Sequence, residues 1–357
     1  MFSTLVIGYL FLGGAGAGAL VVLCLLECAN ARRRFGFAEG RTRLGLTFAG
    51  RAMEPLRTVA VTGPRAAGSR LGSRPRSADR PRSGGFSLVS AFALPVEFFA
   101  RAWVVCAVVL ALGVLCLAAD LGRLDRVAAL VLHPQPTAMT VGAYALAAGL
   151  AVAVAFAAGS NLDGLLPTPS LVYALSAAGV LAGFVVMAYT GVLLASLDSV
   201  LFWKTWLLPA VFVLSSLSCG VALAFAAAAF TQTRQNLVRA LANLAAVDGA
   251  LIALEAAALA ALVAWGLSGE GTRASAQALV AGDLAPVFWG AVAALGMAAP
   301  LVMGRLVRHA NYGSQLLFVA AFALAGGLAL RWCVVGAGAY DVTQVLGQAN
   351  MLAAGLT

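Results

Sequence analysis

Eight long apolar segments dominate this sequence and limit the chain to one broad class of fold. Each has 19 to 27 residues, and about 20 apolar residues suffice for a helix to cross the hydrocarbon core of a bilayer. Inside lipid the backbone must satisfy its own hydrogen bonds, which a helix does within one segment. The sequence therefore predicts an all-α, polytopic integral membrane protein. The predicted transmembrane helices are residues 3–29, 98–121, 138–159, 171–196, 207–230, 244–267, 285–303 and 314–336.

The composition agrees with a membrane protein and argues against a soluble nucleic-acid binder. The chain is 62% hydrophobic and 10% charged, with a mean hydropathy of +0.95. A soluble domain is closer to half apolar and one quarter charged. A net charge of +9 would suggest nucleic-acid binding in a soluble protein. Here most of the positive charge lies in one connecting segment, so we expect membrane lipid, and no nucleic acid, as its partner.

The segment between the first two helices determines the predicted orientation. Residues 30–98 contain thirteen arginines, and residues 57–85 are rich in Arg, Ser and Pro, a composition typical of a flexible loop. Because Lys and Arg accumulate in cytoplasmic loops, we expect residues 57–85 to be cytoplasmic and both termini to lie outside. This loop either contacts lipid phosphates or a partner protein, or it only fixes the topology.

Cysteine and histidine do not form the patterns of a metal or haem site. The six cysteines lie in apolar segments and include no Cys-x-x-Cys pair, the spacing that zinc and iron–sulfur sites commonly use. His133 and His309 lie in or near loops, whereas a haem held inside a helix bundle needs histidines on facing helices. We therefore expect no metal site, no haem and no iron–sulfur cluster in this chain.

Several polar side chains fall inside the predicted helices, where polar groups are costly and usually functional. Tyr189 and Thr190 lie deep in the fourth segment. With both termini outside, Tyr189 falls in the outer half of the membrane, as do Tyr9, Asp120 and Arg331. Phenol, carboxyl and guanidinium groups can hydrogen-bond a polar headgroup. We therefore predict that these five residues form a quinone-binding site.

Two further carboxyl groups lie in the sixth segment and suggest a proton path. Asp248 and Glu255 are seven residues apart, which places them on one helix face about 10 Å from each other. Carboxyl groups stacked along a membrane helix often relay protons. With Asp120 at the outer end, they would connect the cytoplasm with the quinone. The alternative is that Asp248 and Glu255 only satisfy contacts between helices.

Short motifs along the chain resemble those of one family. They are Tyr9-Leu10-Phe11-Leu12-Gly13-Gly14 with Gly16 and Gly18, Asp120-Leu121-Gly122-Arg123, Tyr189-Thr190-Gly191, Phe202-Trp203 with Leu208-Pro209 and Ser215-Ser216, and Gly326-Gly327 with Arg331. In order and spacing they resemble the NrfD/PsrC family, the integral membrane subunits of polysulfide reductase-type molybdopterin oxidoreductases. The resemblance extends over all eight segments.

The resemblance implies a fold, a function and partners. The helices would form two four-helix bundles without haem, in a bacterial or archaeal cytoplasmic membrane. The subunit would exchange electrons between a quinone, usually menaquinone, and a ferredoxin-like iron–sulfur subunit, with a molybdopterin catalytic subunit beyond it. If Asp248 and Glu255 relay protons, this exchange would be coupled to proton translocation. The quinone-contacting tyrosine of the family falls on Tyr189, and its second-helix aspartate falls on Asp120.

Two other functions remain open on the sequence alone. A secondary transporter would also have glycine-rich helices and a carboxyl group such as Glu255 near the middle of the membrane, although no matching pair of interrupted helices is visible in two halves of the chain. A purely structural anchor for a peripheral protein would have the same helices but no quinone site. Binding of a quinone-site inhibitor distinguishes the quinone-reactive subunit from both alternatives.

Overall fold

The described part of the chain is entirely helical, apart from turns and short connections. A computed structural model describes residues 4–51, 94–122, 138–161, 168–231, 235–306 and 312–354. No strand occurs in these ranges, and eight of their helices are long and apolar enough to cross a membrane. This confirms the predicted all-α, multi-pass fold. The predicted loop at 57–85 lies outside the described residues.

Nine helices are described besides a 3₁₀ turn at Leu201–Trp203, and all nine but the short α7 are candidate spans. They are α1 (Thr4–Arg51), α2 (Val96–Leu121), α3 (Ala138–Asn161), α4 (Pro169–Ala195), α5 (Leu207–Ala229), α6 (Gln235–Ser268), α7 (Arg273–Val280), α8 (Ala285–Val287, Phe288–Ala298 and Ala299–Leu306) and α9 (Tyr312–Ala354). Compared with the predicted segments, α1 continues past residue 29 and α9 past residue 336. No proline occurs in either extension, so no residue lacks the backbone donor that a continuing helix needs.

The helix α8 departs from α-helical geometry in its middle. Residues Phe288–Ala298 form a π-helix, which is flanked by α-helical turns. Pro300 follows this stretch by two residues and has no backbone N–H to donate. Within the π-helix, Gly296 approaches Gly326 of α9 so closely that a Cβ on either residue would overlap the other backbone. The wider turn thus brings α8 and α9 into backbone contact.

The spans form two groups of four, as the resemblance implied. In the first group α1 packs on α2 and α4, while α3 closes the other side by packing on α2 and α4. In the second group α5 packs on α6 and α9, and α8 packs on α9 and α6. The two groups meet mainly along α1 and α5, which are the most enclosed of the eight spans. These two helices form the centre of the molecule.

The crossing of α1 and α5 depends on two glycines. A Cβ on Gly18 would overlap the carbonyl oxygen of Ser216, and a Cβ on Gly220 would overlap the backbone of Gly18. Backbones in a membrane approach this closely only where small residues face each other. The close approach also lets the polar groups of α5 reach α1, which positions the candidate site.

Substitution of Gly18 tests this crossing. Because the atoms in the way are backbone atoms, we expect Gly18→Ala to cost at least the 1–3 kcal/mol typical of overpacking, and to lower the apparent unfolding temperature in detergent by about 2 °C or more. Gly290→Ala is the control, since nothing lies within 4 Å of a Cβ at Gly290. Equal unfolding temperatures for both variants would contradict this prediction, because they would mean that α1 and α5 can move apart for an added methyl group without loss of stability.

Candidate functional site

Two tyrosines from different helices meet inside the first group of helices. The hydroxyl of Tyr9 on α1 donates a hydrogen bond to the hydroxyl of Tyr189 on α4, with 2.8 Å between the oxygens. Both side chains are buried, with 4% and 7% of their surface exposed. A phenol hydroxyl has one hydrogen to donate. Since Tyr9 uses its hydrogen for Tyr189, the hydrogen of Tyr189 remains available for another acceptor.

The ring of Tyr189 is held in place by a close contact with α3. A Cβ on Gly142 would overlap three ring atoms of Tyr189. The absence of a side chain at Gly142 therefore leaves the space in which the ring lies. Gly142 was not identified by sequence reasoning, because a glycine in an apolar segment carries no signal of its contact with another helix.

Asp120 belongs to the same end of the molecule as the tyrosine pair. It lies in the last turn of α2, is exposed, and is within electrostatic range of Tyr9. The helix ends at Gly122, which has a φ of 67°, a conformation that glycine adopts at low cost. A carboxylate near the C-terminus of a helix is unfavourable for the helix dipole. The helix dipole therefore does not by itself favour a carboxylate at Asp120.

Thr190 follows Tyr189 along α4 but points its hydroxyl at its own helix. It is fully buried and donates a hydrogen bond to the carbonyl oxygen of Met187 at 2.7 Å. A threonine hydroxyl has only one hydrogen, so in this arrangement Thr190 has none to give to a ligand. Of the predicted site residues, Tyr9, Tyr189 and Asp120 are therefore the ones that the structure places near one another.

Arg331 of α9 lies at the junction of the two groups of helices. Its guanidinium is fully buried. Nε donates to the carbonyl oxygen of Leu10 at 3.1 Å, and Nη2 donates to the hydroxyl of Ser216 at 2.8 Å. Nη1 donates to Ser215 Oγ at 3.3 Å and to the carbonyl oxygen of Gly327 at 2.8 Å.

Two aromatic rings and one glycine complete the surroundings of this arginine. The guanidinium carbon lies 5.7 Å from the ring centroid of Phe11 and 5.5 Å from that of Phe212, distances at which a ring face attracts a cation. A Cβ on Gly14 would come within 2.9 Å of Arg331 Nη2. The charge is thus enclosed by acceptors and rings from α1, α5 and α9, and it does not extend to the headgroups.

The two carboxyl groups of α6 each face a serine of α5. Ser218 donates a hydrogen bond to Asp248 Oδ1 at 2.8 Å. Glu255 lies within hydrogen-bonding reach of Ser215 and within electrostatic range of Arg331. Asp248 and Glu255 are both buried, with 3% and 6% of their surface exposed. Ser218 was not identified by sequence reasoning, although its spacing of three residues from Ser215 places both hydroxyls on one side of α5.

A small polar cavity lies between these serines and Glu255. Its volume is about 10 Å³, close to the minimum that a single water molecule occupies. Its lining includes Ser215, Ser218 and Glu255, and the π-helical part of α8 forms its opposite wall through Gly296. Buried polar groups thus follow one another from Asp248 through Ser218, the cavity and Glu255 to Ser215 and Arg331.

Comparisons with known proteins give the family. The model of the polysulphide reductase NrfD family matches residues 91–343, which is more than two thirds of the chain. The C subunit of polysulfide reductase from Wolinella succinogenes is 28% identical over 244 residues, which cover 63% of this chain and 77% of that protein. No solved structure matches the chain. These matches confirm the resemblance seen in the motifs: the chain belongs to the polysulphide reductase NrfD family.

Proposed function

We propose that this chain is the quinone-reactive membrane subunit of a multi-subunit oxidoreductase. The observation that carries the proposal is the buried Tyr9–Tyr189 pair. Membership of the polysulphide reductase NrfD family supports a membrane subunit of such a complex. A quinone carries two electrons and two protons between its oxidised and reduced forms, so its site needs hydrogen-bonding groups that can exchange protons.

The tyrosine pair is suited to a quinone headgroup. Tyr9 donates to Tyr189 and so orients it, which leaves the Tyr189 hydroxyl free to donate to a quinone oxygen. Such a bond is worth about 1 kcal/mol, and more where water is excluded. Asp120, within electrostatic range of Tyr9, would accept or return the proton that leaves or enters the headgroup.

The position of the tyrosine pair along α1 indicates on which side of the membrane the quinone exchanges electrons. Tyr9 lies near the start of α1, and Arg32 follows 23 residues later, a distance of about 35 Å along the helix axis. The positive-inside rule places the arginine end in the cytoplasm, so the tyrosine pair lies near the outer surface. There a ferredoxin-like iron–sulfur subunit would exchange electrons with the bound (mena)quinone, and a molybdopterin subunit would act on the final substrate. The membrane would be the cytoplasmic membrane of a bacterium or archaeon.

The polar series of the second group would carry protons. Asp248 is the member nearest the N-terminus of α6, the end at which Arg239 lies, and the series continues through Ser218, the cavity and Glu255 to Arg331. Arg331 bonds to Leu10, the residue after Tyr9. Protons relayed from Asp248 would reach Glu255 beside Arg331, and the bond from Arg331 to Leu10 would couple this transfer mechanically and electrostatically to the helix that holds the quinone site.

Replacing Tyr189 tests the quinone site. We expect Tyr189→Phe, which removes one hydroxyl, to weaken binding of a fluorescent quinol-analogue inhibitor by about tenfold, which corresponds to about 1.4 kcal/mol. We expect Tyr9→Phe to weaken binding less, because Tyr9 acts by orienting Tyr189. Binding is measured by fluorescence quenching in membranes that contain the whole complex.

The control for this experiment is Tyr144→Phe, which removes a hydroxyl from a half-exposed tyrosine of α3 and should leave inhibitor binding unchanged. Equal binding by wild type and Tyr189→Phe would mean that the chain has a quinone site to which Tyr189 does not contribute. Absence of saturable binding to the wild-type complex would contradict the proposal and favour a structural anchor or a transporter.

Replacing the buried carboxyl groups tests the proton path separately. We expect Glu255→Gln and Asp248→Asn to lower proton translocation per quinol oxidised by about tenfold or more, because an amide cannot relay a proton as a carboxyl group does. Proteoliposomes that enclose a pH-sensitive dye report translocation, and electron transfer is followed in the same sample after addition of a protonophore.

Glu270→Gln is the matched control, since Glu270 is exposed in the turn after α6 and should have no effect on translocation. Glu255→Asp keeps a carboxyl group and is expected to retain part of the translocation. An unchanged proton yield in both Glu255→Gln and Asp248→Asn would exclude these residues from the path, whatever the outcome for the quinone site.

A further inference from the structure

An apolar groove lies between the two groups of helices, and its lining includes neither the tyrosine pair nor a carboxyl group. We call it the inter-bundle groove. Its volume is about 660 Å³, and its walls come from α1, α4, α5 and α6. Along α1 it extends from Val21 to Ala29, which is about 12 Å of helix. None of the residues in its lining is charged.

The shape and lining of the groove fit a hydrocarbon chain. A stretch of about 12 Å accommodates nine or ten methylene groups, and each buried methylene contributes about 0.8 kcal/mol in transfer from water. Within a membrane that gain is much smaller, because lipid tails are already apolar. The apolar walls therefore explain which part of a lipid fits, whereas retention and selectivity must come from polar groups at the end of the groove.

Polar groups of the required kind lie at one end of the groove. Ala29, Tyr173 and Leu244 line that end, near the starts of α4 and α6. The phenol of Tyr173 supplies a hydrogen-bond donor, and Arg239 is exposed on α6 about 7 Å before Leu244. The N-termini of α4 and α6 at this end carry partial positive charge as well.

The helix ends described on this side carry a net positive charge. In the sequence, α1 continues from Ala29 into Arg32-Arg33-Arg34. With Arg239 of α6, four arginines lie at the helix ends on this side, against one acidic residue, Glu27 of α1. A net positive charge of this size favours a lipid headgroup with net negative charge over a zwitterionic one, by roughly 1 kcal/mol for each basic residue near the headgroup.

We propose that the inter-bundle groove binds one phospholipid with a net negative headgroup. One acyl chain lies between α1 and α6, and the phosphate lies at the basic end near Tyr173 and Arg239. This lipid fills the gap between the two groups of helices on the side of the arginine-rich segment. The proposal does not rest on the quinone site, because no residue of the groove belongs to that site.

Native mass spectrometry of the complex tests this proposal. The complex is reconstituted in nanodiscs of equal phosphatidylglycerol and phosphatidylcholine and then released into detergent. We expect the wild type to retain one phospholipid, with phosphatidylglycerol favoured by about fivefold or more. Ala29→Phe, which fills the basic end of the groove, should reduce the retained lipid by a similar factor. Arg239→Gln should retain lipid but lower the preference for phosphatidylglycerol.

Leu115→Phe is the control, since Leu115 is 63% exposed on α2, remote from the groove, and it should retain lipid as the wild type does. Should Ala29→Phe fail to fold, Tyr173→Phe removes only a hydroxyl and should still lower the preference for phosphatidylglycerol. Equal retention by wild type and Ala29→Phe would overturn the proposal. So would equal retention of the two phospholipids, or retention of a quinone in place of a phospholipid.

Discussion

A cation buried in the middle of the helices is the constraint on which the rest of this structure depends. The guanidinium of Arg331 is fully buried, and an uncompensated charge at such a position would be very costly. The structure surrounds it with two backbone carbonyls, two serine hydroxyls and two aromatic rings. These partners come from α1, α5 and α9, and Glu255 of α6 lies within electrostatic range, so the charge is accommodated where these helices meet.

This requirement explains the close crossing of α1 and α5. Arg331 reaches both the carbonyl of Leu10 and the hydroxyl of Ser216, which is possible only if the two helices lie close together. Gly14 leaves room for the guanidinium, and Gly18 and Gly220 let the backbones touch one turn further on. Small residues in membrane helices allow close backbone contact, and a buried charge needs polar partners. In this protein the small residues leave the space in which the buried charge finds its partners.

The sequence predicts the eight spans well, because hydropathy measures the one property that crossing a membrane requires. The sequence predicts the contacts of single side chains less well. The depth of Tyr189 and Tyr9 follows from counting along a helix, but their hydrogen bond depends on how α1 and α4 rotate. Thr190 lies at the same depth as Tyr189, but its hydroxyl donates to the carbonyl oxygen of Met187 in its own helix. Gly142 and Ser218 matter through contacts with other helices, and such contacts leave no local pattern in one sequence.

The two polar regions share one helix, and this has a consequence for coupling. Tyr9 holds Tyr189, and the next residue, Leu10, accepts a hydrogen bond from Arg331. A ligand that displaces the backbone of α1 at Tyr9 would also displace the carbonyl of Leu10, because the two residues are neighbours in one helix turn. Arg331 would then shift against Ser215, which lies beside Glu255 and the small cavity. Because the cavity has room for only about one water, a motion of α1 that reduced its volume would interrupt the polar series.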